Sequence, residues 1–314
     1  MVTVERGLRI LSYAYFAYFM AIQPWLCWWL WDWIFLRPFI LYIASLYPIM
    51  FNTGAFALCT AVYVFFEKSF GNEYRKLFAR SIHWAYLLHG KLAFGYEVHG
   101  GERLRTKNAL IVYYHGVLPV DASLLHSYAY VKYRRHLSGI VDRSLFQIPL
   151  IASVMDFFGQ HCSPERLTRT LKSGGIAFVA PGGAYEALMS QDGKLEWRNR
   201  CGFARIAKKT GAAVIPMFTV NIQHFMTLHK FGNQGNELLK RWYLLSRVPL
   251  AIPKLVLPVK LRTYLGEPMF CGENETPEAF AARVRSAIEL LRDTHQRQPP
   301  SVLAALLERC GIRW

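Results

Sequence analysis

Residues 109–116 read ALIVYYHG, an apolar run that ends in a histidine and a glycine. Branched aliphatic and aromatic side chains without a break are typical of a strand buried inside a sheet. Further apolar runs at 176–180, 213–218 and 259–265 alternate with helical patterns near 119–134, 164–173, 200–210 and 277–296. This alternation predicts an α/β fold with a largely buried mixed sheet. His115 then stands at the carboxyl end of a strand, where α/β proteins place their sites.

Two long uncharged runs precede this part of the chain. Residues 10–31 and 38–66 contain no Asp, Glu, Lys or Arg, and each is long enough as a helix to cross a hydrocarbon core about 30 Å thick. Tryptophans suit a membrane interface better than a packed core, and they stand at positions Trp25, Trp28, Trp29, Trp31 and Trp33. A cleaved signal peptide has a shorter apolar region and no second span. We therefore expect an uncleaved two-span hairpin anchor over residues 1–68.

The sequence also predicts the orientation of this anchor. Pro24 and Gly54 interrupt the runs, so that each run either spans the membrane or bends as a re-entrant element. Arg37 is the only basic residue between the runs, whereas Lys and Arg recur before the first and after the second. By the positive-inside rule, both ends of the chain face the cytosol. Residues 69–94 mix basic and apolar side chains, which predicts an amphipathic helix on the membrane surface, followed by the α/β domain over residues 95–314.

The charge balance indicates which partners the chain can bind, and the cysteine spacing indicates whether it holds disulfides or zinc. The 37 basic and 21 acidic residues give a formal net charge of +16. The chain has no helix-turn-helix, zinc-finger or aromatic-basic RNA-binding signature, so we expect no nucleic-acid partner and favour anionic lipid headgroups or phosphorylated ligands. The six cysteines are scattered and form no Cys-x-x-Cys pair, which predicts reduced thiols and no zinc site.

His115 is a candidate general base, because the unperturbed pKa of imidazole lies close to physiological pH. Gly116 leaves room for a substrate beside the ring. Asp121 lies in the following helical pattern, from which its carboxylate can turn back and hold the imidazole tautomer. The plainer interpretation is a core histidine next to an unrelated helix-capping aspartate.

A second motif, APGGAYEAL at residues 180–188, follows another predicted strand. Gly182 and Gly183 predict a sharp turn whose backbone N–H groups can approach a substrate closely. Glu186 can accept a hydrogen bond from a substrate hydroxyl or anchor the loop. Arg198 and Arg200 then begin the next helical pattern, where they either bind a phosphate or form a solvated charged face.

In this order and at this spacing, the motifs resemble the glycerolipid acyltransferase superfamily and, within it, the diacylglycerol acyltransferase-2-like branch. The chain is most similar to the acyltransferase-like transmembrane protein 68 group, which makes storage triacylglycerol by a route independent of the main enzymes. The similarity covers residues 92–298, and the stretches that carry it are 113–116, 119–121, 142–146, 180–190, 202–204, 214–221 and 258–266.

The resemblance implies a membrane-bound O-acyltransferase that moves a fatty acyl group from acyl-CoA to diacylglycerol. A thioester is already activated, so His115 acts as a general base without a covalent intermediate, and neither a metal nor a cofactor besides the acyl-CoA substrate is needed. The implied catalytic residues are His115, Asp121 and Glu186, and the implied substrate-binding residues are Gly116, Arg143, Gly182, Gly183 and Arg200. We expect a multi-pass protein of the endoplasmic reticulum membrane with its catalytic domain in the cytosol.

The chain departs from the family pattern around the histidine. Five residues separate His115 from Asp121, whereas the superfamily has four, and Tyr113-Tyr114 replaces the His-Pro of the diacylglycerol branch. That branch lacks an equivalent aspartate, so the partner of His115 is either Asp121 or Glu186. Two other functions stay open. One is a lysophospholipid or glycerol-phosphate acyltransferase that uses arginines to bind an acceptor phosphate, and the other is a non-catalytic lipid-binding membrane protein.

Overall fold

The computed structural model describes residues 2–22, 25, 72–143, 146, 152, 155–156, 158–190, 193–228, 232–246 and 253–312 of the chain. Most of the predicted anchor, between residues 23 and 71, lies outside the described residues. Among the helices that are described, none combines the length and the apolar character that crossing a bilayer requires. The two-span anchor therefore stays a prediction.

The described helices and strands follow the predicted alternation. The helices are α1 (Val2–Ala17), α2 (Asn72–Phe94), α3 (Val120–Tyr133), α4 (Pro164–Lys172), α5 (Gly183–Met189), α6 (Gly202–Thr210), α7 (Ile222–Phe225), α8 (Gly232–Ser246), α9 (Pro277–His295) and α10 (Val302–Leu307). The strands are β1 (Glu97–His99), β2 (Ala109–Tyr113), β3 (Leu137–Ile140), β4 (Gln160–His161), β5 (Ile176–Val179), β6 (Ala213–Val220), β7 (Met226–Leu228), β8 (Pro253–Val256) and β9 (Arg262–Leu265).

Seven of these strands form one mixed sheet in the order β1-β9-β6-β2-β5-β3-β4. Every neighbouring pair is parallel except β6 and β9, so β9 and β1 run opposite to the other strands. β7 and β8 pair separately as an antiparallel ribbon. The α/β fold with a mixed sheet is therefore confirmed.

The central strands are apolar on both faces because helices cover both faces of the sheet. Every residue of β2 and β6 is buried. Leu110 and Val112 of β2 belong to one core cluster, while Ile111 and Tyr113 belong to a second cluster. A strand buried on both sides has an unbroken apolar sequence, which explains why β2 shows no alternation. This packing places the carboxyl end of β2 at the centre of the sheet.

The helix predicted to lie on the membrane surface, α2, packs on α3 and contributes Tyr86, Leu87 and Phe94 to the core. Trp84 and Leu77 of the same helix are exposed. One side of α2 therefore belongs to the domain, and contact of its exposed side with a membrane stays a prediction.

The N-terminal helix and the C-terminal segment meet at α2. The hydroxyl of Ser12 in α1 donates to the carbonyl of Lys91, 3.0 Å away. Arg309, which is buried, donates to the carbonyl of Leu92 at 2.6 Å and also bonds to the Ser12 hydroxyl. Since these contacts satisfy a buried guanidinium, they fix α1 against the domain. Residues 10–17 of the first predicted span thus belong to a helix that packs on α2.

Candidate active site

His115 lies directly beyond the end of β2, between the ends of β5 and β6. Its side chain is partly exposed, and its Nδ1 atom is 2.6 Å from the carbonyl oxygen of Gly116. A carbonyl only accepts hydrogen bonds, so Nδ1 carries the proton and Nε2 presents a lone pair. Burial lowers the pKa of His115, and the hydrogen bond to Gly116 opposes part of that shift. The imidazole is therefore neutral near pH 7, in the tautomer that a general base requires.

Glu186 holds the main chain of His115. It is fully buried in α5, and its Oε2 atom accepts the backbone N–H of His115 at 2.7 Å. Its Oε1 atom accepts the backbone N–H of Glu196 at 2.8 Å. Burial raises the pKa of Glu186 to about 7, while the two backbone N–H donors oppose the rise. Glu186 thus anchors both His115 and the segment after α5, and it does so through backbone groups.

The two glycines before Glu186 have different physical roles. Gly183 has a φ of 53°, which is left-handed backbone that favours glycine. Gly182 has an ordinary φ of −68°, but a Cβ atom there would lie 2.4 Å from the Cβ of Glu186. Gly182 is therefore required by the close approach of the Glu186 side chain. The two glycines and Glu186 therefore form one structural unit.

Arg200, two residues before α6 begins, stabilises this turn. Its Nη1 atom donates to the carbonyl oxygens of Pro181 and Gly182, each 3.0 Å away. The rest of its side chain is exposed. Arg143, the other arginine predicted to bind substrate, is exposed three residues beyond the end of β3. The structure thus brings Arg200 to the glycine turn, and it shows no contact between Arg143 and that turn.

Asp121 lies in a different polar network. It is buried in the first turn of α3, and burial raises its pKa to about 6 while the hydroxyl of Thr219 opposes the rise. The Thr219 hydroxyl is 2.9 Å from that of Thr263, which donates to the Tyr96 hydroxyl at 3.1 Å. The ring of His115 bonds to Gly116 instead. The arrangement therefore groups His115 with Glu186, and a catalytic role for Asp121 stays a prediction.

The segment after α5 is held by residues that sequence reasoning missed. The Tyr114 hydroxyl donates to Ser190 Oγ at 3.0 Å, and that hydroxyl donates to the carbonyl of Lys194 at 2.6 Å. Arg285 of α9 donates to the carbonyl of Leu195 at 2.8 Å. The contacts of Tyr114 and Arg285 join parts of the chain that are 76 and 90 residues apart, so no local pattern could have indicated them.

A cavity of about 600 Å³ opens beside the glycine turn, at the ends of β3 and β5 and the starts of α4 and α6. Its lining is mostly apolar and consists of Ile140, Pro164, Leu167, Val179, Ala180, Pro181, Asn199, Arg200, Cys201, Gly202, Phe203, Arg205 and Ile206. A cavity of this size and character suits a lipid chain or another apolar ligand.

The cysteine in this lining is held as a thiol. Cys201 Sγ donates to Glu278 Oε1 at 3.1 Å, and this hydrogen bond, with burial, raises the pKa of the thiol. A nucleophilic cysteine needs a lowered pKa. The site thus combines the imidazole of His115 with a glycine turn and with an apolar cavity beside that turn.

Known proteins resemble this chain in sequence and in fold. A family model described as diacylglycerol acyltransferase matches residues 39–240. Relatives from Bos taurus and Homo sapiens named "DGAT1/2-independent enzyme synthesizing storage lipids" are 37% and 36% identical over 225 residues. Each match covers 70% of this chain, and 66% and 68% of the relatives respectively, so the chain spans about two thirds of their length.

The fold also matches a solved structure. The 1-acyl-sn-glycerophosphate acyltransferase PlsC from Thermotoga maritima superposes with a TM-score of 0.56 at 18% identity, over 80% of this chain and 95% of that chain. At this identity the likeness concerns the fold alone. The family matches confirm the resemblance to an acyltransferase family of enzymes that the motifs predicted. The chain belongs to the diacylglycerol acyltransferase family.

Proposed function

We propose that this protein transfers a fatty acyl group from acyl-CoA to the free hydroxyl of diacylglycerol and so forms triacylglycerol. The observation that carries the proposal is the state of His115. Its Nδ1 proton is directed to the Gly116 carbonyl at 2.6 Å, at the end of the central strand. Family membership and the relatives' names, which refer to storage lipids, support the reaction class.

In the proposed reaction, Nε2 of His115 takes the proton of the acceptor hydroxyl as its oxygen attacks the thioester carbonyl carbon. A C–O bond forms, the C–S bond breaks, and the coenzyme A thiolate takes the proton from the imidazolium. No enzyme nucleophile takes part, which agrees with the hydrogen-bonded thiol of Cys201. General-base catalysis of this kind contributes about 100- to 10,000-fold to the rate.

In the proposed reaction, Glu186 and Gly116 position the base. Glu186 fixes the main chain of His115, so little reorganisation is needed during the reaction. A Cβ atom on Gly116 would lie 2.8 Å from Cγ1 of Ile222, which shows how closely this backbone approaches its neighbours. Glycine at position 116 is therefore required by the close packing of this backbone against Ile222.

The cavity supports a long acyl chain as one substrate. Its lining is largely apolar, and Arg200 and Arg205 are its cationic members. In our proposal the acyl chain enters the cavity, and the exposed donors of Arg200 face the phosphates of coenzyme A. Guanidinium groups suit phosphate because they offer several N–H donors in one plane.

A phosphate-bearing acceptor is the second candidate. Arg198 lies near the glycine turn, with its guanidinium carbon 4.9 Å from the centre of the Tyr185 ring. This exposed cation is available to an acceptor phosphate of a lysophospholipid. We favour diacylglycerol because the family model that matches this chain is described as diacylglycerol acyltransferase.

Membrane attachment is part of the proposal. In α8, exposed Leu238, Trp242 and Leu245 follow one another at helical spacing, next to the basic residues Lys240 and Arg241. Such a face is typical of a helix that lies in the membrane interface. With the two apolar runs at 10–31 and 38–66, it supports a protein of the endoplasmic reticulum membrane whose catalytic domain faces the cytosol.

An acceptor panel tests the proposal. Purified protein in vesicles is given labelled acyl-CoA with diacylglycerol, monoacylglycerol or lysophosphatidic acid in parallel. We expect labelled triacylglycerol as the dominant product. Dominant labelled phosphatidic acid would replace diacylglycerol by a phosphate-bearing acceptor, and a protein with no product from any acceptor would be a lipid-binding protein instead of an enzyme.

A further inference from the structure

Three histidines from separate parts of the chain meet away from the glycine turn. His83 belongs to α2, His126 to α3, and His136 to the link between α3 and β3. One ring nitrogen of each lies within 4.8 Å of the others. The rings of His83 and His126 stack with their centroids 5.0 Å apart, and His136 meets His126 edge-on at 5.7 Å.

His126 is a buried polar group that the packing alone does not explain. His126 is 1% exposed, and its ring makes only a weak polar contact with the backbone of Leu137, which leaves at least one ring nitrogen without a hydrogen-bond partner. Leaving a buried polar group unsatisfied costs about 1–3 kcal/mol, so such groups normally have a reason. Tyr130 and Phe158 surround the histidines, and a phenylalanine in place of His126 would fill this aromatic environment without that cost.

The protonation state suits metal coordination. Burial lowers the pKa of His83 to about 3 and lowers the pKa values of His126 and His136 as well. All three imidazoles are therefore neutral at physiological pH, and neutral imidazole is the form that binds metals. Nδ1 of His83 is 3.1 Å from the Ser127 hydroxyl, so Nε2 is its ligand atom. A hydrogen bond to the second ring nitrogen is a usual support of a metal-binding histidine.

We propose that His83, His126 and His136 bind a divalent transition metal ion, zinc foremost, with a water molecule in the fourth position. Zinc takes imidazole nitrogens at about 2.0–2.1 Å in tetrahedral geometry, which sets the nitrogens about 3.4 Å apart. The rings must therefore turn inward on binding. His136 is exposed, so it is free to move and leaves a path for the ion from solvent.

The ion would join α2, α3 and the start of β3, and thus fasten the helix that follows the predicted anchor to the catalytic domain. This proposal revises the expectation of no zinc site, which rested on cysteine spacing. The fold brings the histidines together from distant positions, so their spacing carries no signal of a metal site.

Cobalt binding to the full-length protein in detergent tests the proposal. After treatment with a chelator, Co²⁺ is titrated and its visible absorption is followed, and Zn²⁺ is then added as a competitor. We expect one ion per chain with tetrahedral absorption bands. Loss of the ligand in His136→Ala should weaken binding by about tenfold or more, and Ser127→Ala should weaken it by about 10- to 100-fold.

His99→Ala is the matched control, because His99 is a surface histidine that stacks on Tyr264. At equal concentration, added Zn²⁺ should raise the melting temperature of the chelator-treated wild type and of His99→Ala, and raise that of His136→Ala less. His136 is exposed, so its truncation should leave the metal-free fold intact. Absence of saturable binding, or equal affinity in His136→Ala and His99→Ala, would overturn the proposal.

Discussion

At the scale of single residues, the reactivity of His115 depends on two backbone contacts. The Gly116 carbonyl accepts from the ring, and the His115 N–H donates to Glu186. A backbone carbonyl thus orients the imidazole, a task that a carboxylate performs in many hydrolases. The altered spacing between His115 and Asp121 is consistent with this arrangement, because Asp121 is not needed to fix the tautomer.

Glu186→Gln should change how stability depends on pH. Burial raises the pKa of Glu186 to about 7 in the folded protein, from its ordinary value of 4.5. The folded state therefore favours the protonated carboxyl. That stabilisation is complete below about pH 4.5 and is lost as the pH rises through about 7, which amounts to about 3 kcal/mol.

Melting temperatures of wild type and Glu186→Gln between pH 4.5 and 8 check this prediction. Wild type should lose stability relative to the variant as the pH rises. The raised pKa of Asp121 acts in the same direction, but it is common to both proteins and cancels in the difference. Parallel curves would show that Glu186 titrates at an ordinary pKa.

The sequence identified His115, Gly116 and the glycine–glutamate motif, since strand ends and glycine turns leave local signals. It could not assign the partner of His115. The bond between His115 and Glu186 joins positions 71 residues apart, and Asp121 reaches Thr219 only because β6 lies beside β2. Contacts of this kind follow from the sheet order, which a single sequence does not reveal.

At the scale of elements, the turn between β5 and α5 couples the cavity to the base. Arg200 holds its carbonyls, Gly183 supplies its left-handed residue, and Gly182 admits the Glu186 side chain. A change at Gly182 should therefore reach His115 through Glu186, without any contact between residue 182 and substrate.

Gly182→Ala should destabilise the protein and reduce its activity. The added Cβ would lie 2.4 Å from the Cβ of Glu186, and relieving such overpacking costs about 1–3 kcal/mol. Gly7→Ala is the matched control, since nothing lies within 4 Å of a Cβ there and the residue is in helix α1. Melting temperature and triacylglycerol formation are measured for both. Equal values for the two variants would separate Gly182 from the site.

Some helices and strands were predictable from the sequence and others were not. The four predicted strands correspond to β2, β5, β6 and β9, and the four predicted helices to α3, α4, α6 and α9. The last of these, α9, has a full set of start signals, because Thr276 accepts the N–H of Ala279 at 3.2 Å and Pro277 occupies its first turn. The strands β3 (LSGI), β4 (QH) and β8 (PKLV) contain glycine, proline or polar residues, so none of them forms an unbroken apolar run. Helix α8 was not predicted either.

At the scale of the whole molecule, the N-terminal helix and the C-terminal segment of the described chain are in contact with each other. Arg309 bonds to Ser12 and to Leu92, so the N-terminal helix, α2 and the C-terminal segment are one packed unit. The distribution of Lys and Arg around the apolar runs predicts that both ends of the chain face the cytosol, which would place them on one side of the membrane.

Protease treatment of sealed microsomes checks this topology. A tag at the N-terminus and the domain from residue 95 onward should both be digested without detergent, because both face the outside of the vesicle. Digestion after detergent addition serves as the control for protease activity. Protection of either part before detergent would contradict the topology and the access to cytosolic acyl-CoA.

The central proposal is that His115 acts as the general base when an acyl group is transferred to diacylglycerol. Its most direct test is triacylglycerol formation from labelled acyl-CoA by His115→Ala, compared with wild type and with His99→Ala at equal protein level and melting temperature. Since a general base contributes about 100- to 10,000-fold, His115→Ala should fall close to background while His99→Ala keeps wild-type activity. Near-normal product from His115→Ala would contradict the account.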